Sequence, residues 1–388
     1  MIHEYPAYYT EFRCIGGKCK DSCCISWELD IDDETYEYYK SVQGEFGDRL
    51  RRSMNNDDGN TFVLCDDGRC PFLNKENLCD IYTELGEASL CNVCTEFPRS
   101  HETIGDYTRS DVGLSCPEAA RLIITGDINY VTHIDKYDSG ERLNRSDKKR
   151  LKTILAIKDG LIDYIESDMY DEAGIPPAGK ADSTKEGTDN SSWKTKANTM
   201  VKYVEKWQLQ WNDEDYKKID AKIDAKIDAK IDSKRGNNSG LKEEPEEKIS
   251  THEKRLDMLD IIEKLELLDD TLASWAKKYK ELYDETSWSE FVRERGSLYD
   301  VWMEKIMAYY IFRYMIRAYY DNNIQTKIDM AVYSCSVIEC VDYVRWLENG
   351  RCFQVEDMID IARKYAKEIE HSEENLEYIE EEFLFAGV

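Results

Sequence analysis

The chain has 388 residues, room for two or three domains, and sets 52 Lys+Arg against 80 Asp+Glu for a net charge of −28. That acidity argues against a general nucleic-acid binder, whose affinity rests on basic side chains displacing counterions from phosphate. A mean hydropathy of −0.67 and the lack of any run of about 18 apolar residues exclude a membrane span. The start Met1-Ile2-His3-Glu4-Tyr5-Pro6 lacks the basic flank and apolar core of a secretory signal, so a cytoplasmic, reducing address is expected.

Residues 1–126 are rich in turns, Gly and Cys, and two stretches in them predict helix. One runs from Asp33 to Met54, opened by Asp32-Asp33-Glu34, whose carboxylates suit a helix N-terminus. The other starts at Pro117, with Pro at the first helical position and Glu118 in the first turn, and is closed by Gly126. From about 146 the pattern changes to long helical periodicity. Leu151, Ile154, Leu155, Ile157, Leu161, Ile162 and Ile165 share one face of a connecting helix within 146–175. Residues 176–248 read as a polar insert: a Pro-, Gly- and Ser-rich linker from Ile175 to Ser192, a shorter helix near Trp193–Trp211, then the repeat Lys218-Ile219-Asp220-Ala221 through Lys230-Ile231-Asp232-Ser233. That repeat sets Lys over Lys and Asp over Asp at every fourth residue, which weakens a helix, and no site is expected in it. The segment 249–388 is predicted helical: a long helix carrying Leu256, Leu259, Ile262, Leu265, Leu268, Leu272 and Trp275, a buried aromatic one from Val301 to Tyr320, two more near Lys327–Asn349 and Glu356–His371, and an acidic end from Glu373 to Glu382 that is helical or frayed.

Ten of the 13 cysteines precede residue 117. Their spacing is Cys14-x4-Cys19-x3-Cys23-Cys24, Cys65-x4-Cys70-Pro71-Phe72-Leu73-x5-Cys79, Cys91-x2-Cys94 and Ser115-Cys116-Pro117. In a reducing compartment a dense thiol cluster points to metal or redox chemistry rather than disulfides. Thiolates are soft ligands that select zinc or iron–sulfur clusters, and Gly16-Gly17 lets the backbone fold tightly enough for sulfurs to converge. The residues leave zinc, an iron–sulfur centre, two centres, and buried or redox thiols all open. The run Cys19-x3-Cys23-Cys24 departs from a radical-type CxxxCxxC, and Cys91-x2-Cys94 lacks the βαβ context of a thioredoxin-like motif. Cys335, Cys340 and Cys352, in the helical half, are expected to be core thiols.

The segments Tyr5-Pro6, Phe12-Arg13-Cys14-Ile15-Gly16-Gly17-Lys18-Cys19-Lys20-Asp21-Ser22-Cys23-Cys24-Ile25-Ser26-Trp27, Cys70-Pro71-Phe72-Leu73, Leu90-Cys91-x2-Cys94-x2-Phe97-Pro98-Arg99 and Leu114-Ser115-Cys116-Pro117-Glu118-Ala119-Ala120-Arg121 resemble the flagellin lysine-N-methylase family. More widely they resemble the CxxCxxCC zinc- or iron-chelating domains, and Ala308-Tyr309-Tyr310-Ile311-Phe312-Arg313 resembles the methylase's C-terminal half. The insert at 176–248 departs from the family pattern. The resemblance implies methyl transfer from S-adenosylmethionine to lysine side chains of flagellin, by an enzyme carrying an iron–sulfur centre, 4Fe-4S in type, with zinc as the alternative metal. It implies Cys14, Cys19, Cys23, Cys24, Cys70, Cys79, Cys94 and Cys116 as metal ligands, with Cys91 a ninth candidate and Cys65 dispensable.

Methyl transfer to lysine needs a neutral amine, and free lysine titrates near ~10.4. A desolvated aromatic channel lowers that value, and a carboxylate or tyrosinate could take the proton. Tyr309, Tyr310, Tyr314, Tyr319 and Tyr320 cluster with Trp302 and Phe312, although such a stripe reads first as core, with Arg313 and Arg317 snorkelling. Of the five histidines, His101 reads as a surface-loop residue or else a ligand or base, and His3, His133, His252 and His371 have no companions. There is no Gly-rich nucleotide fingerprint, so the catalytic and cofactor-binding residues stay unassigned, and S-adenosylmethionine is expected to bind against the cysteine centre. The fold class is mainly α: a cysteine-rich, loop-containing metal-binding N-terminal domain packed with a C-terminal helical domain. The competing functions are a non-enzymatic zinc- or iron-chelating module and a cluster-dependent oxidoreductase. The acidic surface fits a lysine-bearing substrate.

Overall fold

The structure, a computed structural model, describes residues 2–19, 21–25, 29–56, 59–127, 129–134, 142–166, 192–212 and 251–386. The linker from Ile175 and the four-residue repeat at Lys218 to Ser233 lie outside the described residues. Strand β1 (Ile2–Pro6) runs into α1 (Ala7–Glu11), followed by α2 (Asp33–Ser41), α3 (Gly44–Arg52), the two-residue strands β2 (Met54–Asn55) and β3 (Thr61–Phe62), α4 (Asp80–Leu85) and α5 (Asn92–Glu96). Then come the hairpin β4 (Arg99–Ile104) and β5 (Tyr107–Val112), α6 (Pro117–Thr125), β6 (Tyr130–Ile134) and the long helices α7 (Arg145–Glu166) and α8 (Ser192–Asn212). The C-terminal half holds α9 (His252–Ile262), α10 (Thr271–Leu282), α11 (Glu285–Glu294), α12 (Gly296–Tyr314), α13 (Ala318–Asp321), α14 (Gln325–Glu348), α15 (Val355–Glu370) and α16 (Glu373–Ala386).

The mainly helical fold stands, with a small sheet in the order β4-β5-β1-β6 that the sequence reading did not assign. In it β1 runs parallel to β5, with Ile2 opposite Tyr107, and antiparallel to β6, with Ile2 opposite Ile134. Glu4 of β1 meets the buried Lys158 of α7 at 2.8 Å, which ties the sheet to the first long helix. That helix buries Leu151, Ile154, Ile157, Leu161, Ile162 and Ile165, as its 3.6-residue period requires. Leu155, read onto the same face, is only partly buried. Helix α14 is buried nearly all round and packs against α8 through α12, α15 and α16, as expected of a helix without a polar face.

Two predicted helices are split. The span Asp33 to Met54 breaks at Val42-Gln43, where Gly44 adopts φ +82°, and Met54 already belongs to β2. The long helix from Leu256 to Trp275 breaks between Ile262 and Thr271. Its free backbone groups find partners far away in the chain: Leu268 N donates to Glu368 Oε2 at 2.6 Å, and Glu266 N donates to Asn375 Oδ1 at 2.9 Å. These bonds satisfy the amides that the helix leaves open. The Val301 to Tyr320 segment is helical to Tyr314, turns once as 3-10 over Met315–Arg317, and ends in α13.

Among the described residues there are two main apolar cores and a small third cluster of Ile104, Tyr107, Leu151 and Ile316. The larger joins Tyr8, Phe12, Val112, Leu114 and α6 to the C-terminal helices. The smaller lies among the cysteines and comprises Leu29, Ile31, Tyr39, Leu50, Phe62, Cys70, Phe72, Ile81 and Cys91. Asp32 organises it, accepting from Thr35 N at 3.0 Å to cap α2 and from Asn92 N at 2.9 Å at the start of α5.

Candidate functional site

All thirteen cysteines are free thiols. The loop carrying the first of them is shaped by its own backbone: Gly16 takes φ +53°, Cys19 N donates to Gly16 O at 2.9 Å, and Cys24 N donates to Ser22 Oγ at 3.2 Å. Cys70 N donates to Cys24 O at 2.8 Å, which brings the second cysteine segment to the first. Cys79, Cys91 and Cys116 stand at the N-caps of α4, α5 and α6, where backbone N–H groups favour a thiolate.

The sulfurs fall into two neighbourhoods according to which charges act on which. Cys14 and Cys116 both act on Cys23, and Cys19 and Cys14 act on Cys116. Separately, Cys24, Cys79 and Cys91 act on Cys70, while Cys91, Cys24 and Cys70 act on Cys94. The adjacent Cys23 and Cys24 join the two. Their mutual hydrogen bond brings Cys24 down to about 7 and holds Cys23 protonated. Cys94 likewise bonds to Cys91, so that Cys91 is lowered and Cys94 raised. Burial pushes Cys70 up to about 12 and Cys116 up to about 11, and raises Cys19 and Cys79 as well. The eight family-like cysteines therefore divide four and four, with Cys91 in the second group and Cys65 exposed. An all-sulfur donor set suits a soft metal or cluster. Among the described residues, however, no three His, Cys, Asp or Glu side chains form a cage around one point. Of the three remaining cysteines, Cys335 and Cys340 are core thiols as expected, whereas Cys352 is exposed in the turn before α15.

A cleft of about 150 Å³ is lined by Ser115, the residue before Cys116 of the first sulfur group. Phe97, Pro98 and Arg99 wall it on one side, just beyond Cys94, and Gly113 and Ser115 on another, just before Cys116; Arg313 of α12 and Lys367, Glu370 and His371 at the end of α15 complete it. Helix α15 also holds the cysteine loop, because Asp21 pairs with Arg363 at 2.6 Å and with Lys367 at 3.6 Å. Helix α12 fixes the opposite wall. Its Tyr309 hydroxyl accepts from Leu114 N at 3.0 Å, and its Lys305 donates to Gly126 O at 2.7 Å and Ile124 O at 3.2 Å at the far end of α6.

The cleft is underlain by buried charge. Asp111, fully buried on β5, pairs with Arg109 and, at 2.5 Å, with Arg313. Arg313, partly buried, is therefore held as an ion-pair partner of Asp111 at the edge of the cleft. Glu370 accepts from the Tyr309 hydroxyl at 3.1 Å and 2.9 Å and lies 3.6 Å from Arg313 Nε. Burial pushes its carboxyl up to about 7, against the pull of Arg313 and the Tyr309 hydrogen bond. The hydroxyls of Tyr8 and Tyr310 are buried beside this network without a hydrogen-bond partner among the described residues.

The aromatic stripe proves mostly core: Tyr309, Tyr310, Phe312 and Tyr314 are buried, Trp302 and Tyr319 partly so, and Tyr320 is exposed. His101 lies on strand β4 rather than in a loop. It and His3 meet through one hydroxyl, since Ser110 Oγ is 2.6 Å from His101 Nδ1 and 2.7 Å from His3 Nε2. His252 stacks on Tyr283, and His371 lines the cleft. Sequence reasoning missed Glu370, Asp111 and Lys367, whose only signal is chemical type; the motif Leu114-Ser115-Cys116 did point to one wall.

The comparisons with known proteins agree with this anatomy. The family model "FliB lysine N-methylase C-terminal domain" matches residues 189–388, and the CxxCxxCC model, "Putative zinc- or iron-chelating domain", matches residues 13–114. The Lysine-N-methylase of Salmonella typhimurium is 31% identical over 126 residues, which is 31% of this chain and 31% of that protein. The Lysine-N-methylase of Salmonella choleraesuis matches to the same extent. The "Flagellar biosynthetic protein FliU" of Salmonella muenchen is 30% identical over 126 residues, 31% of this chain and 75% of that protein. The match to the two methylases thus spans about a third of their length. No solved structure matches. With its C-terminal half matched as a lysine N-methylase domain and its cysteine segments as a chelating one, the chain belongs to the FliB lysine N-methylase family.

Proposed function

We propose that the chain methylates lysine side chains of flagellin with S-adenosylmethionine as donor, and that its cysteines hold the metal centre the reaction uses. Cys14, Cys19, Cys23 and Cys116 would form one ligand group and Cys24, Cys70, Cys79 and Cys94, with Cys91 beside them, the other. An iron–sulfur centre, 4Fe-4S in type, is the reading preferred over zinc; with all four thiolates of a group bound the centre would be closed, and with three it would keep one position at which a substrate or cofactor atom could bind. The observation that carries the proposal is a cleft with a buried carboxylate lined by Ser115, the residue before Cys116, in a chain whose C-terminal half matches a lysine N-methylase domain.

The chain's own residues have definable tasks. Asp21 holds the cysteine loop against Arg363 and Lys367 of α15. Tyr309 holds α15 against Leu114, two residues before Cys116. Together they fix the distance between the sulfur groups and the cleft. The surplus of negative charge would speed capture of a lysine-rich partner at low salt.

The test is anaerobic purification, metal and sulfide analysis, and mass spectrometry of flagellin after incubation with S-adenosylmethionine. Iron with sulfide and added methyl groups supports the proposal. Bound metal without methylation favours the non-enzymatic chelating module, which is the reading supported by the match at 13–114.

A further inference from the structure

We propose that the cleft beside Cys116 receives the side chain of the substrate lysine, and that the Glu370 carboxylate takes the proton from its Nζ. This deepens the methylase reading and rests on it. Phe97 and Pro98 give the cleft an apolar wall for the methylene stem, and Glu370 gives it a polar end. That end is built: Glu370 has a side chain only 5% exposed and is gripped by the Tyr309 hydroxyl through both carboxylate oxygens.

The charges around Glu370 leave it able to work as a base. Arg313 gives its closest contact to Asp111, at 2.5 Å, and stays 3.6 Å from Glu370. Arg317 beyond α12 is engaged by Glu373 at 2.7 Å, and Asp111 on β5 opposes ionisation of Glu370. The buried phenols Tyr8, Tyr310 and Tyr314 all feel the Glu370 charge and are themselves raised by burial, so they stay neutral. On its own helix, Lys367 faces Asp21 at 3.6 Å and the His371 ring bonds Lys367 O at 3.0 Å. Arg99, from β4, lies over the rings of Phe12 and Tyr9. With its carboxyl held near 7 by burial, Glu370 sits where a general base works best at neutral pH.

The same cations act on the amine. Arg99, Arg313 and Lys367 disfavour a second positive charge in a site that also strips water from it, and both effects lower the amine's pKa toward that of Glu370. The step balances: one proton passes from the ammonium Nζ to Glu370 Oε, and the freed nitrogen lone pair forms the N–C bond. The donor's S–C bond breaks with its electrons left on sulfur, the product leaves as a methylammonium, and Glu370 returns its proton to solvent.

The test compares wild type, Glu370→Gln and Glu370→Asp, each metal-loaded and checked for equal metal content and circular dichroism. One readout is the pH profile of flagellin methylation. The other is binding of N-acetyl-lysine methylamide, with N-acetyl-norleucine methylamide as the uncharged control. Wild type should show a rate limb with an apparent pKa near 7. Glu370→Gln should lose that limb, lower kcat about 100-fold or more, and bind the lysine probe more weakly while leaving the norleucine probe unchanged; Glu370→Asp should restore the limb at a reduced rate. A purely structural role for Glu370 would not move the limb. Wild-type limb and probe affinity in Glu370→Gln, or no probe binding by wild type, overturns the proposal. Probe binding that depends on Glu370 in a protein that methylates no flagellin lysine overturns the methylase reading instead and leaves the amine site standing.

Discussion

Replacing Tyr309 by Phe removes one oxygen that joins three parts of the molecule. The hydroxyl accepts from Leu114 N at 3.0 Å and donates to Glu370 at 2.9 Å and 3.1 Å. The phenyl ring keeps the packing, so the change is confined to the hydrogen bonds. Leu114 N becomes a buried donor without a partner, which costs about 1–3 kcal/mol, and a bond to a carboxyl group is lost at about the same cost; the two overlap, and about 2–4 kcal/mol in total is expected. The loss should also depend on pH. Glu370 is raised in the fold from an ordinary carboxyl value to about 7, so it withdraws stability as pH climbs through that window. The Tyr309 hydrogen bond works against the rise. Without it Glu370 moves higher still, and the deficit of Tyr309→Phe should be larger at pH 8 than at pH 5. Urea unfolding of both proteins at the two pH values measures this, with an unchanged slope showing that the unfolded state is unaltered. A deficit under about 0.5 kcal/mol, within the ordinary spread of neutral changes, or one that is larger at pH 5, would refute the reasoning.

Two further substitutions and the pH dependence of metal uptake test other contacts of the fold. Asp32→Ala removes the cap of α2 and the acceptor at the start of α5 and should lower stability by about 1–2 kcal/mol. Because backbone hydrogen bonds, that from Asn92 first, hold Asp32 below the usual carboxylate range, its contribution in wild type should be present above the unfolded carboxyl pKa and fade as pH falls through the folded one, as read by acid titration of unfolding. Lys158→Met strands the Glu4 carboxylate, 2.8 Å away in the sheet, and should cost about 3–5 kcal/mol in thermal or urea melts, since removing one partner of a buried pair leaves an uncompensated charge. Metal uptake should tighten with rising pH and release protons to the buffer, because burial raises Cys70 to about 12 and Cys116 to about 11 and ligation must displace those protons; calorimetry in buffers of different ionisation heat counts them.

The long helices were legible because burial imposes a period on them, and α7, α12, α14 and α15 lie close to where the apolar residues fall. The breaks were not. The gap before Thr271 exists because Glu368 and Asn375, about a hundred residues on, take its amides, and no local window contains that information. Strand β1 escaped for a related reason: its partners are at residues 107–109 and 130–134, and its Glu4 faces inward only because Lys158 waits there. At the site, spacing marked the cysteines, while folding alone sorted them, setting Cys116 with Cys14 and Cys23 and turning the adjacent Cys24 to Cys70 and Cys94. Glu370 closes an ordinary amphipathic helix, so nothing but its surroundings distinguishes it from the exposed acids nearby. Arg313 could be read as snorkelling only while Asp111, some two hundred residues earlier, was out of view.

The central claim is that a cysteine-held metal and a lysine-methylating activity belong to one protein. Its most direct measurement is transfer of an isotope-labelled methyl group from S-adenosylmethionine to flagellin by the anaerobically purified chain, with the labelled residues located by peptide mass spectrometry. The label should appear on lysine Nζ with the metal-loaded wild type and disappear when Cys23 and Cys116 are both replaced by Ser. Label absent with the fully metal-loaded wild type, or undiminished in the double variant after its metal is lost, would contradict the claim.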